Sequence, residues 1–272
     1  MTAPRSHGLA GWLGNQAPAA LLTAEKMTQG LHTRLELHHA TGEHYICSGT
    51  APVHLDSESG VVAVIIGTPQ WTTSTLREQA QQQGHAAALS AAYASYGDGL
   101  TDYLRGPFAF AVLDPDSGNT VLGIDRMGRF PLYYLSGPDG LLFGTSARSV
   151  LAMQATAAPV CEQGLYDYVY FHMVPAPQPV FAGLKKLQAG CIAQGATTSV
   201  SQRRYWQPVF REDAKDDRPA LYGELRSQLK QAVANSLPAA GKVGAFLSGG
   251  LDSSTVTGML AEVADGPCDA YS

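Results

Sequence analysis

The stretch KVGAFLSGGLDSSTVTGMLAEVA, residues 242–264, constrains the fold more than any other part of this chain. Val243 to Leu247 reads as a strand and TVTGMLAEVA as a helix, with two adjacent glycines, a carboxylate and three serines in the loop Ser248 to Ser254 between them. Upstream, Leu221, Leu225, Leu229 and Val233 predict a helix with one apolar stripe. Helix, strand, loop and helix in this order begin a parallel α/β unit, whose ligands sit at the C-terminal ends of strands.

The loop has the chemistry of a phosphate cradle. Gly249 and Gly250 permit a tight backbone whose successive N–H groups point one way, and those amides join the positive end of the following helix. Ser248, Ser253 and Ser254 add hydroxyl donors. Asp252 would repel phosphates unless Mg2+ stood between them, so the pattern implies a magnesium nucleotide with Asp252 as the metal ligand. No lysine stands where the G-x-x-x-x-G-K-[ST] loop of phosphoryl-transfer proteins carries one. SGGLDSS instead resembles the PP-loop, SGG-x-DS, of ATP pyrophosphatases. That resemblance makes Leu247, Ser248, Gly249, Gly250, Leu251, Asp252, Ser253 and Ser254 the expected ATP-binding residues, with ATP and Mg2+ as cofactors.

The chain ahead of this unit reads differently. Short apolar runs such as VVAVII, FAFAVLD, TVLGID and LLFGT, separated by turns such as DPDSG and SGPDG, predict strands. A helix is expected from about His85 to Tyr96, with Leu89, Tyr93 and Tyr96 on one face, and a shorter one from Ala147 into Met153 after Ser146 as its cap. Pro175, Pro177 and Pro179 make LYDYVYFHMVPAPQPVFAGLKKLQAG an expected ordered connecting arm. REDAKDDRP, without an apolar cluster, reads as a surface linker between domains.

A formal net charge of -5 and the lack of a Lys/Arg cluster argue against a nucleic-acid partner. The longest apolar runs, such as Val61 to Ile66, are far too short to cross a bilayer, and the first residues lack a secretory pattern. No membrane association and a cytoplasmic location are expected. Cys47, Cys161, Cys191 and Cys268 show no C-x-x-C spacing, so reduced thiols are expected. His38 and His39 would point to opposite faces of a strand, which argues against a metal there.

GLAGWLG, YLRGPFAFAVLD, IDRMGRFPLYYL, LLFGTSARSVLA, MVPAPQPVFAGLKKLQAG and RYWQPVF, followed by SGGLDSS, resemble the asparagine synthetase family in its own order. The resemblance implies an α+β then α/β chain: an N-terminal nucleophile-type αββα sandwich at 1–205, a linker at 206–219, and at 220–272 the beginning of a PP-loop parallel α/β domain. The remaining strands are expected beyond this sequence, or in a second polypeptide completing the synthetase domain.

The glutaminase of that family uses an N-terminal cysteine, with its own α-amine as base. Here His7 stands in the cysteine's place, six residues inside the chain. The glutamine-gripping N-G-E motif aligns with Ile66, Gly67 and Thr68, and the G-S-D motif with Gly84, His85 and Ala86. HATGEHYICSG replaces the arginine-bearing segment. Removal of Met1 would expose Thr2 as an alternative nucleophile, but the offset and Pro4 would require the first strand to slide. No catalytic residue is therefore expected in this domain.

Similar losses occur in β-lactam synthetases and lasso peptide cyclases. The resemblance thus implies an ATP-dependent, AMP-forming carbon–nitrogen ligase that activates a small-molecule or peptide carboxylate as an acyl adenylate for an amine, within the same substrate in a macrolactam cyclase. Glutamine-hydrolysing asparagine synthase is the alternative; a truncated non-catalytic pseudoenzyme or a subunit of a split synthetase is another.

Overall fold

Strands that are apolar on both faces need cover on both sides, and this requirement sets the layering. In VVAVII, the residues Val62, Val64 and Ile66 enter one core while Val61, Ala63 and Ile65 enter another. FAFAVLD divides in the same way: Ala109, Ala111 and Leu113 on one side, Phe108, Phe110 and Val112 on the other.

The computed structural model describes residues 8–14, 25–27, 29, 37–40, 44–49, 51–138, 140–154, 157–196, 199–210, 218–238, 241–264 and 266–272. The chain divides into two compact units, Met1–Pro208 and Val209–Ser272. The first unit begins with β1 (Leu9–Leu13), β2 (Leu37–Ala40), β3 (His44–Ser48), β4 (Val53–Leu55), β5 (Val62–Gly67) and β6 (Gln70–Trp71). Helices α1 (Ser74–Gln83) and α2 (His85–Tyr96) follow, then β7 (Leu104–Arg105), β8 (Phe108–Asp114), β9 (Asn119–Ile124), β10 (Tyr133–Gly137) and β11 (Gly140–Gly144). The unit closes with α3 (Ala147–Leu151), α4 (Glu162–Phe171), β12 (Lys185–Lys186), β13 (Cys191–Ala196) and β14 (Ser199–Arg204).

Among the described residues, two six-stranded sheets form, with orders β12-β10-β11-β1-β3-β2 and β14-β13-β9-β8-β5-β4. All pairings within them are antiparallel. Leu9, Ile46, Tyr134 and Phe143 of the first sheet meet Val64, Ile66, Leu122 and Ala193 of the second in the central core. The outer face of the second sheet packs on Leu76 of α1 and on Leu89 and Ala92 of α2. The outer face of the first sheet, with Ala10, Trp12, Tyr45 and Cys47, packs on Val150 of α3. The result is the expected αββα sandwich. Each large apolar side chain buried in it contributes about 1.5–3 kcal/mol. The layers are tight: a Cβ at Gly11 would run into the Tyr45 carbonyl and the Phe143 ring.

Several local expectations change. STLREQAQQQ forms α1, a helix the apolar pattern hides because Leu76 is its one buried residue; Thr73 starts it by accepting the Leu76 amide at 3.3 Å. Ser146 occupies the cap position of α3 but its side chain makes no capping bond, and the helix ends at Leu151 rather than Met153. Instead the Ser149 hydroxyl donates to the Ser146 carbonyl at 2.7 Å. The first part of the supposed connecting arm is helical: LYDYVYF lies in α4, whose Gly164 packs against Pro179 and Val180. The prolines act only after Phe171, where His172 leaves the helix at φ 58°.

The second unit contains α5 (Arg218–Asn235), β15 (Gly244–Phe246), α6 (Leu251–Val263) and β16 (Asp269–Tyr271). β15 and β16 pair in parallel, Gly244 opposite Asp269 and Phe246 opposite Tyr271. Helix α5 occupies 218 and 219 of the expected linker, while 211–217 lie outside the described residues. Leu221 and Leu225, the first half of the predicted stripe, are exposed; Leu229 and Val233 line a cavity with Phe246, Val256 and Leu260. Arg226 and Lys230 hold Glu262 of α6 at 2.7 and 3.1 Å, surface ion pairs of small energetic weight.

Candidate functional site

The SGGLDSS segment joins β15 to α6. The Leu247 amide donates to the Tyr271 carbonyl at 2.7 Å, which prolongs the parallel ladder by one bond. Gly249 then turns the chain at φ 81°, and Gly250 caps the helix from an extended conformation, φ -78° and ψ 162°. Helix α6 therefore starts at Leu251, and the loop is shorter than the predicted Ser248 to Ser254. Because glycine takes the cap position, Asp252, Ser253 and Ser254 ride on the first helical turn.

The Ser254 amide, donating to the Gly250 carbonyl at 3.1 Å, is the first to bond back along this turn. The amides of Leu251, Asp252 and Ser253 precede it and have no helical acceptor. Ser253 closes the turn through its hydroxyl, which donates to the Gly250 carbonyl at 3.1 Å and accepts the Ser248 amide at 3.2 Å. Its oxygen also lies 3.0 Å from the Ser248 hydroxyl. The hydroxyls of Thr255 and Thr257 are bonded to the carbonyls of Leu251 and Ser253, so they are not directed outward. A Cβ at Gly249 would meet no atom within 4 Å, so the space above the turn is open.

This donor set fits a polyphosphate. First-turn amides, the exposed Ser254 hydroxyl and the positive helix end all favour an anion. Asp252, exposed in the same turn, is the carboxylate through which a magnesium ion would be held, an ion that keeps much of its water and needs few protein ligands. Among the described residues no group of three or more His, Cys, Asp or Glu side chains is placed to hold a metal by itself. Below β15 lies an apolar cavity of about 530 Å³ that includes Asp252 and Ser253 in its wall.

In the first unit, His7 and Thr2 lie outside the described residues. The positions aligned with glutamine-gripping motifs carry other chemistry. Ile66 is buried in the central core. Gly67, at φ 100°, is wedged where a Cβ would strike the Pro107 carbonyl, and the Thr68 amide is tied to that same carbonyl at 2.9 Å. Ala86 is buried, and His85 at the start of α2 accepts the Trp71 indole N–H on Nδ1 at 3.2 Å. In HATGEHYICSG, residues 41–43 lie outside the described set and His44 to Ser48 form β3. His38 and His39 are on β2. Cys47 and Cys191 are buried, Cys161 and Cys268 partly exposed, and burial pushes the Cys191 thiol above its ordinary value.

Two arrangements were not anticipated. Asp125, in IDRMGRF, is buried and accepts the amides of Phe108, Met127 and Arg129 at 3.3, 2.9 and 3.0 Å, which fixes the loop beside the old glutamine positions. An aspartate followed within five residues by glycine is its sequence signal. The Trp71–His85 pair has no such signal, since it joins two segments across α1.

The glutamine amidotransferase domain family model matches residues 19–206, well over half of the chain, and the asparagine synthase model matches 224–272. The asparagine synthetase [glutamine-hydrolyzing] 3 of Bacillus subtilis is 26% identical over 279 residues, covering 93% of this chain and 45% of that protein. A putative asparagine synthetase [glutamine-hydrolyzing] of Mycobacterium bovis is 28% identical over 183 residues, 65% of this chain and 28% of its own length. Amidase chyE of Penicillium rubens is 28% identical over 262 residues, 92% of this chain and 37% of its own. The glutamine phosphoribosylpyrophosphate amidotransferase from B. subtilis aligns at 11% identity with a TM-score of 0.45, over 97% of this chain and 65% of that one. The chain spans less than half the length of these curated relatives. On the match over 19–206, followed by the asparagine synthase match, the chain belongs to the glutamine amidotransferase domain family in its asparagine synthetase branch.

Proposed function

We propose that this chain is part of an ATP-dependent amide-bond-forming ligase, in which the SGGLDSS turn holds the phosphates of magnesium ATP. The observation that carries this reading is the first turn of α6, where three amides without helical acceptors, an exposed aspartate and the exposed Ser254 follow directly on the Gly249 turn. The nucleotide supplies activation of a carboxylate by adenylation. Within the chain, the amides of Leu251 to Ser253 and the Ser254 hydroxyl would bind and orient the leaving pyrophosphate, and Asp252 would hold the metal. Preorganised donors of this kind lower a barrier because they need no reorganisation as charge develops.

The amine comes from the substrate itself, as in a lasso peptide or other macrolactam cyclase. This rests on the first unit, where Ile66, Thr68 and Ala86 occupy the aligned glutamine-gripping positions and offer no carboxylate for an α-amine. The bacterial relatives, named asparagine synthetases [glutamine-hydrolyzing], favour a second reading, a glutamine-hydrolysing asparagine synthetase.

Two measurements separate these. NMR of the labelled chain titrated with magnesium pyrophosphate and magnesium ATP should move the amides of Gly249 to Ser253 saturably, and Asp252→Asn should remove the magnesium dependence. Titration to about 10 mM, roughly 2.7 kcal/mol of binding energy, without a response there would defeat the nucleotide reading. Release of glutamate from glutamine above the buffer rate would defeat the cyclase reading and leave the synthetase one.

A further inference from the structure

We infer that the cleft between α1 and the turn carrying Trp71 is a binding site for a small carboxylate with an apolar body. The cleft has a volume of about 480 Å³ and is lined by Pro69, Gln70, Trp71, Arg77, Gln81 and His85, with Ala80 completing its wall. That volume is within the range of small-molecule sites. The inference stands on the first unit alone and does not depend on the nucleotide reading.

The chemistry of the wall is one-sided. Because His85 Nδ1 accepts the Trp71 indole N–H at 3.2 Å, the ring's remaining proton resides on Nε2, which makes that nitrogen a donor. Partial burial holds the imidazole below its ordinary value, which keeps the ring neutral at neutral pH. Arg77, on the exposed side of α1, brings a guanidinium, and Gln81, one turn further along the same helix, brings an amide. Among the described residues no carboxylate lines the cleft. The floor is apolar: Pro69 and Trp71 are both buried, and Trp71 is held in the outer core against Leu76 and Leu104.

A cleft with a guanidinium and an N–H at its rim and no acid in its wall selects against cations. Its rigid elements are the indole and the imidazole, each fixed by the other. A guanidinium binds a carboxylate through parallel N–H donors, and the Pro69–Trp71 floor takes an apolar body that inorganic anions lack. The position is also informative. Pro69 to Trp71 directly follow the Ile66 to Thr68 segment, and His85 lies inside the Gly84 to Ala86 segment. Where the family motif would place a carboxylate for an α-amine, this chain has buried Ala86, and beside it the exposed His85.

The test uses the full chain, sodium benzoate as the probe and benzylamine as its cationic counterpart. The Trp71 indole N–H resonance, identified by its absence from Trp71→Phe, reports on occupancy. Benzoate should shift it saturably, Arg77→Ala should weaken that binding by about tenfold or more, and benzylamine should leave it unmoved. Gln81→Ala, on an exposed helical position, should weaken binding less while leaving the Tm unchanged. No saturable shift with benzoate, an equal response to benzylamine, or undiminished binding by folded Arg77→Ala would each overturn the inference.

Discussion

Gln202 on β14 donates through Nε2 to the Tyr134 hydroxyl on β10 at 2.7 Å, joining one sheet of the sandwich to the other across the central core. Tyr134 is buried and Gln202 only partly so. The two ends of the bond should thus respond unequally to mutation. Tyr134→Phe leaves a partly solvated amide and should cost about 1 kcal/mol, whereas Gln202→Leu strands a buried hydroxyl and should cost about 1–3 kcal/mol. Urea unfolding of the two variants measures the difference; equal losses would show that the hydroxyl finds water.

Alkaline pH should unfold the sandwich earlier than its acidic groups would suggest. Burial raises the phenols of Tyr93, Tyr133, Tyr134 and Tyr205 above their ordinary value, most strongly for Tyr205, whose hydroxyl also donates to the Ile124 carbonyl at 2.8 Å. A native pKa above the unfolded one means that the folded state keeps protons the unfolded state releases. The stabilisation is therefore complete below about pH 10 and is lost as pH rises beyond it. Melting temperatures from pH 8 to 11 should fall, and Tyr205→Phe should flatten the fall. A parallel curve for that variant would count against the argument.

Asp125 should be among the least replaceable residues of the first unit. Three backbone amides converge on its buried carboxylate, and alanine would leave all three without that acceptor. Asp125→Ala should lose about 2–4 kcal/mol of stability, and Asp125→Asn about half of that, since one amide oxygen can still accept. Denaturant midpoints test the ranking, and a loss under about 0.5 kcal/mol for alanine, the scale of a neutral surface change, contradicts it.

The two glycines of the turn should behave differently. Gly249 sits at φ 81° with open space around a would-be Cβ, so Gly249→Ala should cost about 1–2 kcal/mol from backbone strain alone. Gly250 has an ordinary extended conformation and a would-be Cβ 3.6 Å from the Ser248 hydroxyl, so Gly250→Ala should change stability by less than about 0.5 kcal/mol. Thermal unfolding of the second unit distinguishes them, and equal effects would show that the turn is remodelled.

What the sequence discloses follows from what each segment must satisfy locally. VVAVII and FAFAVLD announce buried strands because β-branched and aromatic residues fill both faces, and SGGLDSS announces its turn because the glycines and hydroxyls have few other uses. STLREQAQQQ is silent, since its helix rests on the Thr73 cap and one buried leucine. The aromatic run before Pro175 reads as a connecting arm because of the prolines after it but is helical in fact; its Leu165, Tyr166, Val169 and Tyr170 are exposed and so obey no burial period. Strand partners are least legible of all. β1 lies between β11 and β3, with Ala10 opposite both Gly144 and Cys47, and no local pattern encodes a pairing at that separation. The loop at 248–254 was overextended for a simpler reason: glycine at the cap leaves the polar residues free to be helical.

The parallel pair β15–β16 has a kinetic consequence. Phe246 and Tyr271 are largely solvent-exposed, and Met259 and Leu260 are the only buried apolar side chains among the described residues of the second unit. Such a ladder opens by local fluctuation rather than by global unfolding. Placed in deuterated buffer, the amide of Leu247 should therefore exchange within the time that Phe110 and Val112, on the strand between the two cores, still keep their hydrogen, so that the segment proposed to grip phosphates is also the segment with the shortest isotopic memory.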